Sequence, residues 1–297
     1  MNLRCLITAE GNEDCNTHLM YINIQATFIP VKVAFFINAK LKFMSKTEEF
    51  NNILNAIRNT SPLVHNITNY VVMNNTANAL LAVGASPVMA HAVEEVEDIV
   101  SISSSLVINM GTLSEKWIDA MILSAKKAKA LNKPFVFDPV GVGASKFRSE
   151  TAQQIINAAV PNVIRGNASE IMALAQLTNS AKGVDSTELS DAAVEAAQKL
   201  SKELNNTVVI SGATDYIVTG DNISKVTDGS ALMPKVTGMG CTATSIIGAC
   251  IAVNQDYHTT ATVGMEIMGQ AGNLAEKSAA GPGSFQMHFL DALHQLK

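Results

Sequence analysis

Along most of the chain, short unbroken apolar runs alternate with longer stretches in which apolar residues recur every three or four positions. The short runs fall at 63–67, 86–90, 106–110, 135–138, 162–165 and 207–211. Continuous apolar runs of this length predict strands covered on both faces. Between them, 70–83, 93–102, 114–131, 148–158, 167–177 and 189–204 carry a helical period, with Ser114 placed as a cap. Runs at 216–219 and 223–226, with Asp221-Asn222 near the turn, predict a hairpin. After Gly240 the pattern is helical almost to the end, over 241–253, 259–279 and 285–296. Strand–helix alternation of this kind predicts an α/β fold with an open, mostly parallel sheet between two helix layers. No linker or repeat interrupts 44–297, which predicts a single domain.

The first 43 residues do not share this pattern. They are rich in Asn, Phe and Ile and have no helical period. The apolar run 28–37 is broken by Pro30 and Lys32 and is too short to span a membrane. Glu10, Glu13 and Asp14 precede it, unlike a signal peptide. From Met44 the chain reads as an ordinary start, with Ser45 and Glu48 spaced as a capping box. The expectation is that 1–43 is a non-native or disordered extension.

Composition narrows the functional classes. Net charge is −5, and no basic tract is present to hold nucleic acid. The four cysteines, Cys5, Cys15, Cys241 and Cys250, lack metal-ligand spacing and suit a reducing, cytoplasmic setting.

In a parallel sheet, ligands collect beyond the carboxyl ends of the strands. Five polar clusters are placed there: 65–69 (His-Asn-Ile-Thr-Asn), 138–143 (Asp-Pro-Val-Gly-Val-Gly), 165–170 (Arg-Gly-Asn-Ala-Ser-Glu), 211–214 (Ser-Gly-Ala-Thr) and 238–241 (Gly-Met-Gly-Cys). In the last, Gly238 and Gly240 allow a tight turn before a helix whose free amides form an anion pocket. Cys241 stands at its mouth, where a helix dipole favours a thiolate. Simpler readings exist for each cluster. His65 also reads as a satisfied partly buried histidine, Asn167 with Glu170 as a capping box, Arg165 as a sheet-end ion pair, and Met89 as a core residue. Cys250 falls on another helix face and reads as a small buried hydrophobe.

Taken together, 65–69, 84–89, 138–144, 165–170, 237–241 and 281–285 resemble the hydroxyethylthiazole kinase family of the ribokinase-like superfamily, in the family's order. Residues 1–43 match nothing in it. The resemblance implies a three-layer α/β/α fold and transfer of the γ-phosphoryl of ATP to the primary hydroxyl of 4-methyl-5-(2-hydroxyethyl)thiazole in thiamine salvage. It further implies Mg2+ and a homotrimer with active sites at subunit interfaces. No nucleic-acid or membrane partner is expected from the charge and the short apolar runs. The resemblance assigns Cys241, which stands where most relatives in the superfamily carry an Asp, to orienting or deprotonating the hydroxyl. It assigns Asp138 and Glu170 to Mg2+, partly through water. Arg165, Ser211 and Asn167 go to ATP, and Met89 and Gly238 to the alcohol. Gly240 is placed with ATP by the anion pocket at the helix start, and Asn66 in the alcohol pocket by its place after the first strand. Rival readings are a hydroxymethylpyrimidine kinase of the same superfamily and a non-catalytic relative. A Rossmann dehydrogenase is disfavoured because the glycine loop lies near the C-terminal end.

Overall fold

In this computed structural model, residues 47–178 and 189–297 are described. The expected extension over 1–43, and a start at Met44, lie outside them. A helix over 47–60 (α1) opens the described chain. It is followed by β1 (Leu63–Ile67), α2 (Met73–Val83), β2 (Ser86–Val88), α3 (Val96–Ile102), β3 (Ser105–Asn109), α4 (Glu115–Ala130) and β4 (Phe135–Asp138). Then come α5 (Lys146–Ala158), β5 (Val163–Asn167), α6 (Ala168–Leu177), α7 (Leu189–Leu204) and β6 (Thr207–Ser211). The chain ends with β7 (Asp215–Thr219), β8 (Asn222–Val226), a short 3-10 turn, α8 (Met239–Ile251), α9 (Tyr257–Glu276) and α10 (Pro282–Gln295).

The strands form one eight-stranded sheet in the order β2-β1-β3-β4-β5-β6-β7-β8. β1 to β6 run parallel, and β7 and β8 close one edge as an antiparallel hairpin. Side chains alternate between faces along a strand, so each apolar run feeds two cores at once. Val64, Val107, Val136, Val163 and Val209 pack with α1, α2, α8, α9 and α10. Their neighbours Leu106, Ile108, Phe135, Phe137, Ile164 and Val208 pack with α3 to α7. This is the three-layer α/β/α fold that the pattern predicts.

Helix boundaries differ from expectation at a few ends. α2 begins at Met73, because the Val72 N–H turns back to the Asn69 carbonyl at 3.2 Å. α8 begins at Met239, two residues early, and α10 at Pro282, whose ring presets the helical φ. Ser114 holds the cap position of α4 in extended conformation, but its hydroxyl makes no capping bond. In the hairpin, Gly220 at φ +58° takes the turn and Asn222 already pairs with Thr219.

The C-terminal helix is tied to α1 by one side chain. The Arg58 guanidinium donates to the Leu296, His294 and Leu293 carbonyls at 2.7, 3.0 and 3.4 Å. Those carbonyls have no helical donor of their own, and the cation complements the helix dipole. Arg58→Ala is expected to lower unfolding stability by about 1–2 kcal/mol without changing activity, as read by urea denaturation.

Candidate active site

The period of two that splits the core also gathers polar groups at one end of the sheet. Asp138 follows Val136, Arg165 follows Val163, Ser211 follows Val209 and Asn109 follows Val107, so all four face α8. Parallel register sets Asn109 directly beside Asp138 and Asn167 beside Ser211. Since β2 lies outside β1, the strand order reverses at the β1–β3 gap, where crevices form in such sheets.

Asp138 is fully buried. Its Oδ2 accepts hydrogen bonds from Thr244 Oγ1 at 2.7 Å and Asn109 Nδ2 at 2.8 Å. Arg165 Nη1 lies 3.8 Å from the same oxygen. Its Oδ1 has no partner. Burial outweighs the Arg165 charge and these bonds, and pushes the carboxyl up to about 6. Arg165 also donates through Nη2 to Ser211 Oγ at 2.5 Å. Asp215, the first residue of β7, accepts the Gly212 N–H at 2.9 Å, and burial lifts it to about 6 as well. One guanidinium thus answers two buried carboxyls.

The start of α8 faces this group. Gly238 sits at φ +86°, a left-handed conformation that suits glycine, and a Cβ there would meet Val72 Cγ1 at 2.6 Å. Gly240 is needed for a different reason from the expected turn. It is helical, and a Cβ on it would stand 2.6 Å from Arg165 Nη1. The first intrahelical bond runs from the Thr242 N–H to the Gly238 carbonyl, so the amides of Met239, Gly240 and Cys241 have no helical acceptor. Cys241 is half-buried and its Sγ accepts from Asn69 Nδ2 at 3.4 Å. Burial and the charge of Asp138 raise its thiol, opposing the bonds from Asn109 and Asn69 and the Arg165 charge. Burial, the largest effect, and then the Asp138 charge thus work against the expected thiolate.

A cleft of about 630 Å3 opens beside these residues, a size that suits a small ligand. Its lining includes Arg165, Ser211, Gly238 and Gly240 together with the apolar Met233, Met265 and Met268. Residues 54–297 match the hydroxyethylthiazole kinase family. The chain belongs to that family. It is 56% identical to the hydroxyethylthiazole kinase of Leptospira biflexa over 243 residues, covering 82% of this chain and 91% of that one. The hydroxyethylthiazole kinase structure from Pyrococcus horikoshii OT3 is 39% identical, with a TM-score of 0.78 over 84% of this chain and 93% of that one. The ADP complex of Bacillus subtilis pyridoxal kinase shares the fold at 17% identity, with a TM-score of 0.57 over 70% of this chain and 90% of that one. This family member is accordingly a phosphotransferase with a ribokinase-like fold.

The other expected site residues occupy more varied places in this kinase. Asn167 and Glu170 form a full capping box at α6, with Asn167 Oδ1 accepting the Glu170 N–H and Glu170 Oε2 accepting the Asn167 N–H. Glu170 Oε1 additionally accepts the Gly141 N–H at 2.8 Å, fastening the loop after Asp138. The capping role is structural and leaves the carboxylate at the edge of the Asp138 field, where its charge helps raise Asp138. Met89 is half-buried just past β2 and does not line the cleft. Asn66 departs from its expected place in the pocket lining. It is 1% exposed, its Nδ2 donates to the Val64 carbonyl, and its Oδ1 accepts from Ser245 Oγ. It fastens α8 to β1, and its parity with Val64 turns it inward. His65 is buried with Nε2 2.8 Å from the Ala90 carbonyl and its imidazole is held below the ordinary value by burial, but its Nδ1 is buried without a partner, so it is only half satisfied. Cys250 is buried and burial raises its thiol, as expected of a small hydrophobe.

Asn109, Thr244 and Asp215 stand outside the residues singled out by sequence, and Asn69 enters there only as the end of the 65–69 cluster, with no role of its own. Asn109 carried a usable signal, being a lone amide at the end of an apolar run in phase with Val107. Thr244 carried one too, lying three residues after Cys241 on the same helix.

Proposed function

We propose that this phosphotransferase moves the γ-phosphoryl of ATP to the primary hydroxyl of hydroxyethylthiazole, with the nucleotide in the Arg165–Ser211 cleft and the alcohol beside Cys241. The observation that carries this is the convergence of the α8 amides, Arg165 and Cys241 at the carboxyl ends of β3 to β6. Phosphoryl transfer needs positioning and neutralised charge more than covalent help. The amides of Met239, Gly240 and Cys241 and the Arg165 guanidinium supply donors where negative charge develops.

Mg2+ fits this donor set. Among the described residues no cluster of three His, Cys, Asp or Glu could hold a metal by itself. Mg2+ binds through one or two carboxylates, phosphates and water, so a full protein cage is not required. The unpartnered Oδ1 of Asp138 and the carboxylate of Glu170 would hold it, largely through water. The ion would neutralise phosphate charge during transfer.

Cys241 positions the hydroxyl in this reading and does not act as a strong base, since burial and the Asp138 charge push its thiol up. In a loose transition state the hydroxyl proton departs late. Turnover should appear with Mg2+, ATP and hydroxyethylthiazole and not with hydroxymethylpyrimidine in its place. Cys241→Ala is expected to lower kcat by about tenfold, below the range for loss of a general base, and Cys241→Asp to retain or raise it. Turnover with the pyrimidine alone would reassign the acceptor. Unchanged turnover in both variants would remove Cys241 from the reaction.

The acceptor side of the site is completed by neighbouring subunits of a homotrimer. Tyr70 and Val71 stand 66% and 69% exposed on the turn against Gly238, apolar surface that suits a subunit contact. Light scattering should then give three times the 31.5 kDa chain mass, and a monomer would contradict this reading. The enzyme is read as cytoplasmic: Cys241 and Cys250 are free thiols, and no described helix is long and apolar enough to cross a membrane.

A further inference from the structure

Asn69, two residues beyond β1, and Asn109, the last residue of β3, meet across the gap where the strand order reverses. Asn69 Nδ2 lies 2.9 Å from Asn109 Oδ1 and 3.4 Å from Cys241 Sγ. Asn109 Nδ2 donates to Asp138 Oδ2 at 2.8 Å. Both amides are buried.

The sense of this chain is fixed from one end. The Asp138 oxygen accepts, so Asn109 must turn its NH2 group toward it. The Asn109 carbonyl oxygen then faces the other way and accepts both the Gly111 N–H at 2.9 Å and the Asn69 amide. Asn69 is thereby left presenting an N–H to the sulphur. Two amides carry the polarity of the carboxylate to Cys241, and the sulphur always receives a donor on that side. A thiol that accepts one N–H has a lone pair engaged and its S–H turned away from the donor.

We propose that Asn69 is a positioning residue for phosphoryl transfer, its amide setting the rotation of the Cys241 thiol toward the acceptor hydroxyl while Asn109 holds that amide in place. This rests on the reading that Cys241 faces the acceptor. Packing alone does not account for the arrangement. A leucine at 69 has the shape of asparagine, and Asn109 Oδ1 would keep the Gly111 N–H, so no buried acceptor is orphaned. Gly111 offers an independent handle. A Cβ there would stand 2.5 Å from Asn69 Nδ2, 2.8 Å from its Cγ and 3.0 Å from Asn109 Oδ1, so it presses on the Asn69–Asn109 contact itself. Gly111 is not among the positive-φ residues, so alanine suits its backbone and displaces the amide with Asn69 still present.

The test is a double-mutant cycle with kcat and KM measured for each member. Asn69→Leu is expected to lower kcat about tenfold, as small misplacements of reacting groups do, with the acceptor KM changed less than about twofold. In a Cys241→Ala background the same substitution should change kcat by less than about twofold. Gly111→Ala should follow the same pattern, and it carries the comparison if Asn69→Leu does not fold. An equal fall of kcat in both backgrounds would overturn the proposal, because Asn69 would then act without the thiol. If Cys241→Ala alone leaves kcat unchanged, the reading of Cys241 fails first and the proposal fails with it.

Discussion

Asp138→Asn is expected to lower kcat by about two to three orders of magnitude while raising the stability of the protein at neutral pH. The amide retains an oxygen to accept from Asn109 and Thr244, so the packing survives. What disappears is the charge that Arg165 faces at 3.8 Å and the free carboxylate oxygen that would hold Mg2+ through water. Stability moves the other way because that charge is expensive to keep dry. The carboxyl titrates at about 6 in the folded protein against 3.8 ordinarily. Between those values the folded chain holds a proton that the unfolded chain has released. Stability therefore falls as pH rises through that window, by up to about 3 kcal/mol above it. The asparagine variant escapes this loss. Melting curves at pH 4 should differ little between the two proteins, and at pH 7 the variant should melt higher. A variant that melts lower at both values would show that the charge stabilises the fold. Turnover of the unmodified enzyme should fall along an acidic limb centred near the same pH of about 6, since the protonated carboxyl neither pairs with Arg165 nor holds a cation.

Much of this site could be read from the chain because its positions are fixed by strand ends. Asp138, Arg165 and Ser211 each close an apolar run, and a parallel sheet brings such ends together whatever the loops do. The helix start at 238–241 was legible for the same reason, as glycines ahead of a small-residue helix. What the sequence could not convey was depth. Nothing in the local pattern says that Asp138 is wholly enclosed, or that burial and its charge together push the Cys241 thiol up. Those are properties of packing across more than 100 residues of chain, as the bond between Asp138 and Thr244 shows by its separation of 106. Gly240 makes the same point. Its role is a close approach to a guanidinium from β5, invisible to a reading based on turns. Asn66 was misplaced because a polar residue after an apolar run can face inward when a helix brings it a hydroxyl, here from Ser245.

Arg165 should give the second large effect. Arg165→Ala removes the cation from two buried carboxyls and the donor from Ser211. The ATP KM is expected to rise at least about tenfold and kcat to fall about a hundredfold. Breaking one side of a buried pair costs about 3–5 kcal/mol, but Asp138 can limit the loss by keeping its proton. The destabilisation should therefore be larger at pH 8 than at pH 5. Arg165→Lys restores charge as a single point and cannot reach both Asp138 and Ser211, so it should recover stability better than turnover. Gly240→Ala approaches the same interaction from the helix, since its Cβ would crowd Nη1 at 2.6 Å and Nη2 at 2.9 Å. The guanidinium can yield, so this variant should resemble Arg165→Lys more than Arg165→Ala. The decisive combination is Arg165→Ala with Asp138→Asn. If the cation serves mainly to offset the carboxylate, the double variant regains stability at pH 8 and stays inactive. If it remains as unstable as Arg165→Ala alone, the guanidinium supports the fold through Ser211 and the α8 backbone, and its charge serves the nucleotide alone.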